Sequence, residues 1–267
     1  MIINTSKSKI YIKEYYKSSQ TPYFFIHGFT GSSLCWEDVI HKLKIHSFAI
    51  DIPGHGKSEF KSLDEEYNFN DFSNDIYMVL LELQIKGINL CGYSMGGRLA
   101  LKFASAYPNK IKSLILESTS YGLSYGNIRS ERILEDNLLS KMIIEDFESF
   151  VDQWENNKLF SKQKNRNKQG WQKQRDIRLS HNKLQLAKSI DSLSLGIMPF
   201  LEEQYKQVEC PIVLINGTED DKFIKLGKNM LYSNLKAKQY IVEKACHNIH
   251  LENTEMFTDL LQEIYCE

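Results

Sequence analysis

The stretch "NLCGYSMGGRLAL", residues 89–101, constrains this chain more than any other. An apolar run delivers a serine flanked by glycines, Gly92-Tyr93-Ser94-Met95-Gly96, and a helix-like run follows. A G-x-S-x-G turn of this kind passes from strand to helix so sharply that the serine hydroxyl is lifted clear of the sheet. It needs a buried strand before Ser94 and a helix after it, and the sequence offers both. Arg98 stands four residues past the serine, about one helical turn on, where an apolar wall is the more usual neighbour.

The rest of the chain supplies the layers such a turn requires. Short apolar runs, rich in β-branched and aromatic residues, occur at 23–28, 47–52, 88–93, 112–118 and 212–217, and several end in Gly, Asp or Pro. That is how strands buried on both faces of a parallel sheet read. Residues 10–16 ("IYIKEYY") read as an early edge or hairpin strand, and 238–242 ("KQYIV") as a last one. Helical patterns lie between, notably 70–83 with an Asn or Asp cap signal, and 254–265 closes the chain. Strand alternating with helix implies a doubly wound, mostly parallel sheet. The alternation breaks between about 122 and 207, where the pattern is helical and rich in Lys, Asn, Gln and Arg. The expected organisation is therefore a core formed by 1–121 and 208–267, with 122–207 inserted as a helical cap over the carboxyl ends of the strands.

At 267 residues the chain is long enough for that arrangement, and its 42% hydrophobic and 25% charged residues are those of an ordinary globular protein. A net charge of −1 gives no electrostatic footprint for nucleic acid or a membrane surface. No apolar run reaches the roughly 18 residues of a spanning helix, and the start shows no signal-peptide core, so neither export nor anchoring is expected. The five cysteines are odd in number, scattered and never in C-x-x-C spacing, which points to a reducing, cytoplasmic setting. Monomer and homodimer are both compatible with these data.

Three further stretches fall in the order an acyl-transfer-like site needs. "HGFTGSS" (27–33) follows a strand, and the N–H of Phe29 can pair with that of Met95 as an oxyanion hole. "INGTEDDKF" (215–223) puts Glu219, Asp220 and Asp221 beyond a strand end; one of them can orient a histidine, while a helix N-cap is the ordinary use of such a residue, Asp221 above all. "EKACHNIH" (243–250) brings His247 nearest the last strand, with His250 starting or capping the final helix. The chain order Ser, Asp, His is one of the known orders of a catalytic triad. The two histidines lack a carboxylate–histidine set at ligand spacing, so no metal is expected, and "GYSMGG" lacks the Lys-Ser/Thr of a phosphate loop.

With these motifs the sequence resembles the α/β-hydrolase superfamily over nearly its whole length. It is more closely similar to the 2-succinyl-6-hydroxy-2,4-cyclohexadiene-1-carboxylate synthases of menaquinone biosynthesis, through "HGFTGSSLCW", "GYSMGGRLAL", "GTEDDKF" and "HNIHLEN", with "ERILED" and "RDIRLSHN" in the cap. The resemblance implies Ser94, Asp220 and His247 as the triad and substrate contacts from Tyr93, Arg98, Arg132, Trp154 and Arg178. It also implies a cofactor-free elimination of pyruvate from a small tricarboxylate ring, 2-succinyl-5-enolpyruvyl-6-hydroxy-3-cyclohexene-1-carboxylate. Three carboxylates under a cap call for guanidinium forks, which pair with them in a bidentate way that lysine cannot. Cys246 departs from the family pattern, which usually has Gly there. The alternatives are an ester or carbon–carbon bond hydrolase with Ser94 as nucleophile, and a non-catalytic receptor on the same fold.

Overall fold

A computed structural model describes residues 1–266. The strands are β1 (Ile2–Asn4), β2 (Ser8–Tyr15), β3 (Tyr23–Ile26), β4 (Ser47–Ile50), β5 (Glu59–Phe60), β6 (Ile88–Tyr93), β7 (Ile111–Glu117), β8 (Ile212–Gly217) and β9 (Ala237–Val242). They form one sheet in the order β1-β2-β4-β3-β6-β7-β8-β9, with β5 pairing β2. The β1–β2, β2–β4 and β2–β5 pairs are antiparallel and all others are parallel. Of the two readings of 10–16, edge or hairpin strand, the second holds: β1 pairs with β2 as an antiparallel hairpin and takes the edge. Neither β1 nor β5 was read from sequence, since three and two residues are too few to show a period.

Helices α1 (Glu37–Leu43), α2 (Phe69–Glu82) and α3 (Met95–Ala106) connect the first strands. Six more, α4 (Asn127–Glu145), α5 (Phe147–Glu155), α6 (Gln163–Arg166), α7 (Lys168–Leu179), α8 (Lys183–Ser192) and α9 (Glu202–Lys206), fill the interval between β7 and β8. The chain then adds α10 (Asp221–Ser233), α11 (Ile249–Glu252) and α12 (Thr254–Cys266). Alternate residues of each central strand face opposite sides: Phe24 and Ile26 enter one core cluster, Tyr23 and Phe25 the other. Both sides are covered by helices, so the strands read as unbroken apolar runs. Burying one such phenylalanine contributes about 1.5–3 kcal/mol.

The cap has a small core of its own, built from Ile143, Phe150, Val151, Leu186, Ala187 and Ile190. The stretch after α8 returns to the main core, where Leu193, Met198, Leu201 and Tyr205 are buried. We therefore place the end of the cap near residue 192, earlier than the charge pattern of the sequence suggests. Cys35, Cys91, Cys210 and Cys246 are free thiols. Burial raises the pKa of all four, Cys210 and Cys246 to about 11. Among the described residues no helix is long and apolar enough to cross a membrane.

Candidate active site

Strand β6 ends at Tyr93 and α3 begins at Met95, leaving Ser94 alone in the turn. Its φ of 50° lies in the left-handed region, a conformation that costs on the order of 1–3 kcal/mol outside glycine. The flanking glycines make the turn sterically possible. A Cβ on Gly92 would fall on the carbonyl oxygen of Gly96, and one on Gly96 would fall on those of Ile26 and His27. The strain is held by two bonds, Ser94 N–H to the Glu117 carbonyl at 2.9 Å and Thr119 Oγ1 to the Ser94 carbonyl at 2.8 Å.

The raised hydroxyl meets a histidine. His247 Nε2 lies 3.0 Å from Ser94 Oγ, and its Nδ1 lies 2.7 Å from Asp220 Oδ2. Asp220 also caps α10, its Oδ1 accepting the N–H of Phe223 at 3.3 Å. Both functions expected of the acidic loop thus fall on one residue, while Asp221 is the exposed first residue of the helix. Glu219 turns instead to Lys162 and Arg166. His250 is buried behind the site. Its backbone N–H and Nδ1 donate to the two oxygens of Glu117, at 3.0 and 2.7 Å, and its ring stacks on Trp36 at 4.1 Å.

Three buried histidines, none of them singled out in the sequence, fix the loop that carries Phe29. His27 Nε2 accepts the Ile52 N–H at 3.0 Å, and His55 Nε2 accepts the Thr30 N–H at 3.2 Å. His181, from the cap, accepts the Gly56 N–H at Nδ1 and donates from Nε2 to the Thr30 carbonyl, at 3.1 and 3.0 Å. Each ring is an acceptor, which requires its neutral form. Burial lowers all three, His27 and His181 to about 4. The Met95 N–H, first in its helix, has no acceptor within the helix and is available to a developing oxyanion.

Above Ser94 lies a cavity of about 210 Å³ between core and cap. Tyr93, Arg98, Arg132 and Trp154 all line it, together with Phe29, Met95, Ser94 and His247. Arg98 is 8% exposed, and burial followed by the charge of Arg132, against the pull of Asp136, lowers its pKa to about 9, still a cation at neutral pH. Its Nε, the Trp154 Nε1 and the Tyr93 hydroxyl are buried without a hydrogen-bond partner among the described residues. Arg132 is held by Asp136 at 2.9 Å, one turn along α4.

Arg178 does not line this cavity itself but an adjoining one, with Phe29, Tyr93 and Phe160; its Nη1 pairs with Glu155 at 2.9 Å, and its Nε lies 3.4 Å from Thr30 Oγ1. A guanidinium this deeply buried needs an internal counter-ion, and Glu155 supplies it. Arg129 and Arg175 are likewise engaged, with the Gly196 carbonyl and with Asp152 and Glu155. The sequence reading also missed Lys222, which lines the cavity from the first turn of α10. A cation opposes the helix dipole there, and that mismatch was a usable signal.

A family model described as the alpha/beta hydrolase fold matches residues 22–254. A Bacillus subtilis (strain 168) protein assigned as a 2-succinyl-6-hydroxy-2,4-cyclohexadiene-1-carboxylate synthase is 34% identical over 240 residues, 89% of this chain and 88% of its own length. The chain belongs to the α/β-hydrolase family and, within it, to the group containing these synthases. An Enterobacter synthase of the same name is 27% identical over 90% of both chains. The solved structure of MenH from S. aureus superposes with a TM-score of 0.89 at 30% identity, covering 98% of this chain and all of that one.

Proposed function

We propose that the protein is a 2-succinyl-6-hydroxy-2,4-cyclohexadiene-1-carboxylate synthase of menaquinone biosynthesis, releasing pyruvate from 2-succinyl-5-enolpyruvyl-6-hydroxy-3-cyclohexene-1-carboxylate. The observation that carries this reading is the imbalance of the cavity. Arg98, Trp154 and Tyr93 present buried donors without acceptors directly above a hydrogen-bonded Ser-His-Asp set. Unpartnered buried donors are costly, and a ligand rich in carboxylate oxygens satisfies them.

In the mechanism that follows, His247 takes the Ser94 proton and Asp220 stabilises the resulting imidazolium. The Ser94 oxygen then removes a ring proton from the substrate. The electrons of that C–H bond form a new ring double bond, the ring's existing double bond shifts by one position, and the C–O bond to the enolpyruvyl group breaks. The departing enolate takes the proton held by His247 and becomes pyruvate, which resets the triad. Phe29 and Met95 N–H groups stabilise developing negative charge. Arg98 and Arg132 hold carboxylates, with Trp154 and Tyr93 completing the donor set. Proton transfers and the C–O cleavage they drive involve no change of oxidation state that a cofactor would have to supply, so the triad suffices. Four free thiols support a reducing, cytoplasmic setting.

The decisive experiment supplies the enolpyruvyl precursor, made by the upstream enzyme, and follows pyruvate by coupled reduction to lactate. Stoichiometric pyruvate with the diene product is expected. Turnover of simple aryl esters with no pyruvate release would replace this reading with a hydrolase.

A further inference from the structure

We infer that Arg166, a cap residue, is a positioning residue of the triad, clamping together the two loops that carry Asp220 and His247. Arg166 closes the short helix α6, and its guanidinium forms ion pairs with Glu219 through one nitrogen and with Glu252 through another. Glu219 is the residue before Asp220. Glu252 accepts the N–H of Cys246 at 3.0 Å and that of Asn248 at 3.4 Å, the residues on either side of His247. One carboxylate thus brackets the catalytic histidine, and one guanidinium ties that carboxylate to the aspartate's loop.

The two loops are also zipped directly. The Glu219 N–H donates to the Ala245 carbonyl at 3.0 Å, and the Cys246 thiol donates to the Glu219 carbonyl at 3.4 Å. These bonds set the loops side by side, but they leave the Glu252 carboxylate, whose side chain is 0% exposed, in need of a cation. Among the described residues the core provides none in contact; the cap does. Lys162 adds a second cap contact to Glu219 from the exposed side. The position of the cap is thereby coupled to the separation of Asp220 and His247, a length on which imidazolium stabilisation depends. The inference rests on the triad reading and is independent of the substrate's identity.

The test is Arg166→Ala in the full-length protein, read in two ways. The low-field proton resonance of the Asp220–His247 hydrogen bond, identified by its loss in Asp220→Asn, reports the triad with no substrate present. It should shift upfield or broaden in Arg166→Ala and return in part in Arg166→Lys, which keeps one contact. In pyruvate release, kcat should fall roughly 10- to 100-fold, the worth of charge-assisted hydrogen bonds, with KM nearly unchanged. Should Arg166→Ala fail to fold, Glu219→Gln removes one arm only and should move both readouts the same way by a smaller factor. An unmoved resonance, with KM alone raised or with nothing changed, overturns the inference. Absence of pyruvate release from the native enzyme would count against the substrate, while the resonance would still decide the clamp.

Discussion

The first turn of α3 and the last turn of α7 each bury an arginine, in opposite ways. Arg178 in α7 meets Glu155 and is electrically complete before any ligand arrives. Among the described residues, Arg98 in α3 has no carboxylate within ion-pair distance and its Nε has no hydrogen-bond partner. Burial of a guanidinium is therefore no guide to function by itself; the presence or absence of an internal counter-ion is. In the proposed function, the α7 pair steadies the cap, whereas the α3 cation meets a substrate carboxylate.

Substitutions beside the elbow should damage activity and spare the fold, and substitutions in α7 should do the reverse. The largest effects are expected in the triad. Ser94→Ala should lower pyruvate release by about 10⁴, the upper end of what a positioned base contributes. Its stability should be unchanged or raised, since the substitution keeps a Cβ in the same strained turn. A substrate-derived acyl group found on Ser94 by mass spectrometry would contradict the role of base assigned to it. Asp220→Asn should cost about 10⁴ in kcat by holding the wrong imidazole tautomer. Asn is also a good N-cap, so the melting temperature should stay close to that of the native protein. Asp221→Asn should change neither.

The two arginines give the sharpest contrast. Arg178→Ala should destabilise by about 1–3 kcal/mol in urea unfolding, because Glu155 loses its buried partner and keeps only the more exposed Arg175. Arg98→Ala should leave the urea midpoint alone and lower kcat/KM by roughly 10- to 150-fold, equivalent to about 1.5–3 kcal/mol. Arg98→Lys should recover only part of this. If the two variants behave alike, the distinction drawn from the counter-ion fails. A last test varies pH instead of sequence, in the loop behind Phe29. Folded His27 and His181 titrate near 4, against 6.5 when unfolded. Between those values the unfolded chain binds protons that the folded one does not, so stability should fall as pH drops from about 6.5 to 4. The slope is about 1.4 kcal/mol per pH unit for each histidine. His181→Gln should flatten that slope; an unchanged slope would remove His181 from the account.

The core was largely legible in the sequence and the cap largely was not, and the reason is physical. Ser94, Phe29 and Met95 are placed by backbone turns a few residues long, whose glycines and apolar runs are written locally. The residues alone left Glu219, Asp220 and Asp221 as candidate acids and the resemblance singled out Asp220; that the same residue caps α10 is visible only in the geometry. Cap side chains are placed by pairing at long range. Nothing in the spacing of α7 says that Arg178 faces Glu155, and Arg166 and Glu252 stand 86 positions apart. Charge composition likewise extended the cap to residue 207, although Leu201 and Tyr205 pack in the main core. The short strands β1 and β5 escaped notice because pairing, not periodicity, defines them.

Burial of the thiols has a chemical consequence for the loop that carries His247. With a pKa near 11, Cys246 is nucleophilic in only about one molecule in ten thousand at neutral pH. Oxidants and alkylating reagents act on the thiolate, so the sulfur adjoining the catalytic imidazole is kinetically sheltered from both. The chain thus carries a sulfur atom beside His247 without acquiring a redox liability.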